Sequence, residues 1–332
     1  MKNILSLQNK LTPDDFAPLD ENYFKEESLE TEEIGYWKAS WIRLKSNKIA
    51  MVALVLIVIM FIFAFVGPLL SPYSYDQQVR GDEALWPCLK HPFGTDRLGR
   101  DILVRCMIGT RISMIVGLVS AVIVMIVGSI YGAISGLIGG KVDIVMMRVV
   151  DIIYSVPEIL LIVVIKMVIS EPLQNLIDTV PMFHGLQKIG SGLIAIFIVY
   201  GCLYWVGMAR IVRGQILQLK TLDFVTAAEA LGCGRATMIK EHLLPNCIGQ
   251  IITTTFLQIP SAIFLESFLS FVGVGVSAPL TSLGSMCSEA LSGLSTYPYR
   301  LFIPAVILSV MILALNLFGD GLRDALDPKL KK

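Results

Sequence analysis

Six long apolar runs constrain this chain more than any other feature. They cover Ile49 to Leu70, Ile112 to Gly140, Ile152 to Ile169, Ile189 to Ala209, Asn246 to Val276 and Leu301 to Gly319. About 20 apolar helical residues cross a hydrocarbon layer of about 30 Å. Lipid offers the backbone no hydrogen-bond partners, so such runs cross as helices. Composition agrees: 55% of the 332 residues are hydrophobic and 16% charged, against about 25% charged in soluble domains. The expected fold is an all-α polytopic membrane protein with six transmembrane helices. The third run, interrupted by Pro157, Glu158 and Lys166, reads as the least hydrophobic. The first begins behind a polar, charged segment, which favours a retained helix over a cleaved leader.

Six crossings place both termini on one side. With the N-terminus inside, 18 of the 27 Lys and Arg residues fall on inner segments, as the positive-inside rule requires. Arg97, Arg100, Arg105 and Arg111 oppose that orientation, clustering on the outer side before the second run. The expected organisation is a cytoplasmic arm over 1–47 and a first span over 48–70. An extracytoplasmic segment over 71–110, a five-helix core over 111–322 and a cytoplasmic tail over 323–332 follow. The arm is acidic, without sustained apolar periodicity. Near its end, Trp37 and Trp41 stand at i, i+4, which suits a short interfacial helix over 36–44.

Charge balance excludes an obvious nucleic-acid partner: the net charge is zero and the pI is near 6.8. The six cysteines form no CxxC pair, and His91, His184 and His242 are far apart, so no metal site is expected. Gly128, Gly132, Gly136 and Gly140 recur every fourth residue. This stripe suits close helix approach, either within the chain or against a second subunit. Glu266 is the acid deepest in an apolar run and reads either as a structural partner or as a pathway residue. Lys166, near a run's end, can snorkel to the interface. Asn316 and Asp320 read as packing and end-capping residues, and Asp320, Arg323, Asp324 and Asp327 as helix-end ion pairs.

The segment 221–245 lies between the fourth and fifth runs. Asp223 is a plausible N-cap for a helix ending near Leu231. Gly232 and Gly234 supply a turn. A second short helix over 235–243 is expected to stop before Pro245. Two short helices joined by a glycine turn make a rigid elbow suited to docking on a soluble partner, although an ordinary interfacial loop would read similarly.

Thr226-Ala227-Ala228-Glu229-Ala230-Leu231-Gly232, closing on Leu244-Pro245, resembles the coupling loop of permease subunits in binding-protein-dependent ABC importers. The resemblance narrows to the C-type permease of peptide importers through three further segments. These are His91-Pro-Phe-Gly-Thr-Asp-Arg-Leu-Gly-Arg-Asp101, Glu266-Ser-Phe-Leu-Ser-Phe-Val-Gly-Val-Gly275 and Gly319-Asp-Gly-Leu-Arg-Asp-Ala-Leu-Asp-Pro328. Thr226 stands where that family has Glu, so the ion pair this Glu makes is not carried over; Thr226 and Glu229 could instead form a capping box.

The resemblance implies a type I importer permease architecture and a heterodimer with a second homologous permease. It also implies two ATPase subunits that bind ATP and magnesium, an extracytoplasmic solute-binding protein and a bacterial cytoplasmic membrane. The chain itself would hold no cofactor and do no catalysis; Gly140-Lys141 continues into Val142, so the nearest phosphate-loop candidate fails. Related permeases serve dipeptides, longer peptides, nickel chelates and glutathione. A secondary transporter is the alternative class, and would need more intramembrane ionisable residues than Glu266 and the third run supply.

Overall fold

The computed structural model describes residues 35–180, 185, 187, 190–276 and 280–326. The acidic arm before Gly35, His184, Asp327 and the rest of the tail lie outside the described residues. Residues 1–43 form one compact unit and residues 44–332 another. Of the first unit, the described part begins helix α1 (Tyr36–Ser46), where Trp37 and Trp41 are exposed.

The larger unit is mainly helical, apart from a non-helical segment over 71–101, and has six helices long and apolar enough to span a membrane. They are α2 (Lys48–Phe65), α4 (Ile102–Ile138), α6 (Glu158–Thr179), the consecutive pair α7 (Ser191–Leu203) and α8 (Trp205–Leu219), α10 (Arg235–Phe271) and α12 (Tyr299–Leu326). Shorter elements lie between them: α3 (Gly67–Leu70), α5 (Gly140–Ser155), α9 (Asp223–Ala230) and α11 (Leu283–Leu291). The main core joins α4, α7, α8 and α10 around Val116, Val124, Ile196, Tyr200, Met208 and Leu269. A second core joins α4, α11 and α12 around Cys106, Leu283 and Met311.

Three boundaries differ from the sequence reading. The second span begins at Ile102, ten residues before its uncharged run, because Asp101 caps it by accepting a bond from Val104 N at 2.9 Å. At 37 residues, α4 measures about 55 Å, well beyond a hydrocarbon thickness of about 30 Å. Its first turns therefore carry Arg105 and Arg111 beyond the apolar stretch.

The third span is α6, not 152–169. Pro157 cannot donate a helical bond and biases Val156 to an extended conformation (ψ 138°), so one helix stops at Ser155 and another starts at Glu158. The apolar residues from Ile152 to Ser155 belong instead to amphipathic α5. Nor is the third span the least hydrophobic: its best window has mean hydropathy 1.7, against 1.4 for α10, whose Gln, Thr, Ser and Glu residues lower the figure.

Gly140 leaves the stripe. It stands at the turn from α4 to α5, where Gly139 and Gly140 take φ of +66° and +55°, values that side-chain-bearing residues rarely adopt. Gly128, Gly132 and Gly136 do face a helix, namely α8 of the same chain. A Cβ on Gly132 would meet Ala209 O and lie 3.0 Å from Arg213 N.

The arginine cluster over 97–111 is committed to protein partners. Arg100 bonds Asp96 at 2.6 Å and Glu289 at 2.9 Å. Arg105 reaches Asp96 at 2.7 Å, Glu289 at 2.8 and 2.9 Å, and Thr281 at 3.2 Å. Arg97 donates to Ser292 O. Arg111 donates to Ala64 O at 2.9 Å, closing the end of α2. These residues join 91–111 to α11 and α2, and so weigh little in a positive-inside count.

Candidate functional site

The elbow is a short helix hung between two spans. Lys220, at the end of α8, donates to Leu137 O at 2.7 Å, and α9 follows after Leu222. Val225 is 1% exposed and packs into the main core with Ile216, Met238 and Leu243. Its neighbours point the other way: Leu222, Phe224, Thr226, Ala227, Glu229 and Leu231 are exposed. Leu231, at 89% exposure, is an apolar side chain with almost no cover.

Asp223 does not cap α9. Leu222 is the N-cap and has no side-chain bond, while Asp223 is the first helical residue, where its charge still suits the helix dipole. The Thr226–Glu229 capping box is absent because both residues lie inside the helix, past its start. The C-terminus is closed firmly: Gly232 N bonds Glu229 O at 2.9 Å, Cys233 N bonds Ala228 O at 3.0 Å, and Gly232 has φ +81°. This is the Schellman pattern, with glycine at the left-handed position. Gly234, at φ −68°, carries no such constraint and precedes the next helix.

That helix does not stop at Pro245. Residues Met238–Leu243 form a π turn leading straight into Leu244–Phe271. The wider turn shifts the bonding pattern just where Pro245 has no N–H to give. Asn246 Nδ2 donates to His242 O at 2.6 Å. The elbow is thus continuous with the fifth span rather than hinged from it.

Beside the elbow, α5 is tied to α8. Asp143 accepts both prongs of Arg213 at 2.5 Å and the Ser135 hydroxyl at 2.5 Å. The Arg213 fork, helped by Ser135, holds the Asp143 carboxyl below the usual carboxylate range, although burial acts the other way. A depressed carboxyl stabilises fully above its unfolded value, about 3.9, and loses that stabilisation as pH falls through its folded value. Asp143→Asn is therefore expected to lower stability by about 1–2 kcal/mol at neutral pH. Denaturation in mixed micelles should show the gap unchanged between pH 8 and 5 and closing only below about pH 4; a gap that closed near pH 6 would refute this.

Glu266 is fully enclosed. Its carboxylate accepts from Ser270 at 2.7 Å, Ser113 at 2.8 Å and Ser267 at 3.3 Å. Two helices, α4 and α10, meet at this one side chain. Lys166 does not snorkel. It is 5% exposed, donates to Gly275 O at 2.5 Å and lies within electrostatic reach of Glu266. Gly275 is held there because α10 ends in a second Schellman turn at Gly273 (φ +88°), after which Val276 N bonds Ser270 Oγ at 3.0 Å.

A cavity of about 1030 Å³ lies elsewhere. Tyr154, Tyr204, Gln258, Ser261, Phe264 and Asn316 are among its lining residues. Glu266 is not in its wall. Asn316, read from sequence as a packing residue, is exposed and faces this space. Among the described residues, the lining combines aromatic faces with neutral hydrogen-bonding groups. Gln258 and Asn316 sit on different spans and were not separable from other polar residues by sequence. Asp320 and Arg323 form no ion pair with each other among the described residues. His91 is buried and bonds Asp101 at 2.7 Å, and no cluster of metal-ligating residues occurs among the described residues.

Six helices able to span a membrane, with a short helical elbow carried between two of them, define a multi-pass membrane protein. Residues 126–332 match the family described as binding-protein-dependent transport system inner membrane component, and residues 35–92 match the N-terminal TM domain of oligopeptide transport permease C. The chain belongs to the first of these families, the ABC transporter permeases of binding-protein-dependent systems. It is 40% identical to the oligopeptide transport system permease protein OppC of Bacillus subtilis, covering 96% of this chain and 97% of that one. It is also 40% identical to the dipeptide transport system permease protein DppC of the same organism, over 98% and 96%. The Escherichia coli OppC is 38% identical over 98% and 99%.

Proposed function

We propose that this chain is one of two homologous permease subunits of an ATP-driven importer of short peptides in a bacterial cytoplasmic membrane. A separate extracytoplasmic binding protein delivers the solute, and two ATPase subunits hold ATP and magnesium. Both termini of this subunit face the cytoplasm. The arginine pairing on the opposite side supports that orientation, since it removes the main objection to it. The similarity to oligopeptide and dipeptide permeases along nearly the full chain supports the peptide assignment.

The observation that carries the coupling role is the elbow's mounting. One end follows α8 and the other leads through the Gly232 turn into α10, and both helices wall the large cavity, through Val206 and Gly207 on α8 and Gln258, Ser261 and Phe264 on α10. Force applied at α9 by an ATPase reaches those walls through the hydrogen-bonded Gly232 turn and the buried Val225. Phe224 and Leu231 supply the apolar contact, with Thr226 in place of the acid seen in relatives.

Gly232→Val tests this. A branched residue at φ +81° is strained by about 1–2 kcal/mol and breaks the Schellman turn, so the elbow loses its shape while Val225 keeps it anchored. The reconstituted complex should retain ATP hydrolysis and lose most solute uptake. Uptake at the wild-type ratio to hydrolysis would reject the coupling role, as would uptake with no ATPase present.

A further inference from the structure

Arg300, the second residue of α12, is 6% exposed, and Nε and Nη2 of its guanidinium are enclosed without a partner among the described residues. Its neighbours are ring faces: the guanidinium carbon lies 4.1 Å from the centre of Tyr297 and 5.7 Å from that of Tyr299. With Arg97, Arg100 and Arg105 it lines a cavity of about 480 Å³, together with the acids Asp96 and Glu289. Both acids are already engaged by Arg100 and Arg105. Residues 181–184, 186, 188, 189 and 277–279, between the spans, include no acidic residue. An enclosed cation without a counter-charge carries a penalty of several kcal/mol, and contact with tyrosine faces offsets only about 2 kcal/mol of it.

We propose that this cavity is a carboxylate-binding site in which Arg300 is the anchor. Four guanidinium groups against two carboxylates leave the wall positive, and a fork-shaped cation matches a carboxylate in two-point bonding. The two acids would repel a dianion such as phosphate, which favours a singly charged group. The volume far exceeds the roughly 30 Å³ share of one water, so it takes a carboxylate together with the chain that bears it. That chain is either a short peptide's C-terminus or an acidic side chain on a protein docked at this face. The first source would rest on the solute assigned above; the second does not.

Trp86 reports on the site, its ring lying 5.0 Å from Tyr299 and 6.1 Å from Tyr297. In full-length protein in nanodiscs, with Trp37, Trp41 and Trp205 replaced by Phe, Trp86 emission is titrated with two probes. Dialanine carries only a C-terminal carboxylate; N-acetyl-glutamate N-methylamide carries only a side-chain one. At least one should give a saturable change, the tighter identifying the source, while dialanine amide gives none. Arg300→Gln should weaken binding at least about tenfold. Glu289→Gln removes a like charge and should tighten it, a gain that misfolding cannot imitate. A saturable response to the amide, none to either acid, an unchanged affinity in Arg300→Gln, or no tightening in Glu289→Gln would each overturn the proposal.

Discussion

Glu266→Leu is expected to destabilise the protein by about 3–5 kcal/mol, the range found when one partner of a buried polar or ionic set is removed. Leucine matches glutamate roughly in volume, so the effect comes from what is left behind. The hydroxyls of Ser113 and Ser270 lose their acceptor, and Lys166 loses the nearest negative charge. Glu266→Gln keeps one acceptor oxygen and should lie well below that figure. Combining Glu266→Leu with Ser113→Ala and Ser270→Ala removes both sides of each bond and should recover much of the loss, because apolar replacement of a whole polar set is nearly neutral. Unfolding in mixed micelles measures all three; a leucine variant as stable as the glutamine variant would end the structural interpretation of this carboxylate.

The second large effect is expected at Gly132. A Cβ there would press on the backbone of Ala209 and Arg213, so no side chain can turn aside to make room. Gly132→Ala should lower stability by about 1–3 kcal/mol, and Gly132→Leu by more. Gly214, on α8, has nothing within 4 Å of its own Cβ position. Gly214→Ala should therefore be neutral or stabilising by up to about 1 kcal/mol. Equal losses at the two positions would show that the stripe is not a packing surface. Because α8 leads directly into the elbow, Gly132→Leu should also reduce coupled transport more than its stability loss alone explains.

These two sites differ in how far sequence could reach them. The glycine stripe is a local pattern on one helix, so its spacing is visible in a string of letters, but the helix it faces is about 80 positions away. Gly140 continued the pattern by letter and left it by conformation, because a positive φ is a property of the turn. Glu266 was conspicuous as an acid in an apolar run. Its serine partners come from two helices, and no spacing rule joins Ser113 to Ser270. Lys166 shows the opposite error: its neighbours along the chain suggested escape to the interface, whereas Gly275 holds it inside.

From sequence alone came the six spans, their helical nature, the elbow and its glycine turn, since each depends on local hydrophobicity or local backbone preference. Tertiary structure decided where α4 and α6 begin, that Pro245 sits within a continuing helix, and that the arginines over 97–111 are paired. It also decided that the large cavity is walled by Gln258 and Asn316 rather than Glu266. In a membrane these choices rest on polar groups finding partners across helices, because lipid supplies neither a hydrogen bond nor a hydrophobic drive to bring helices together.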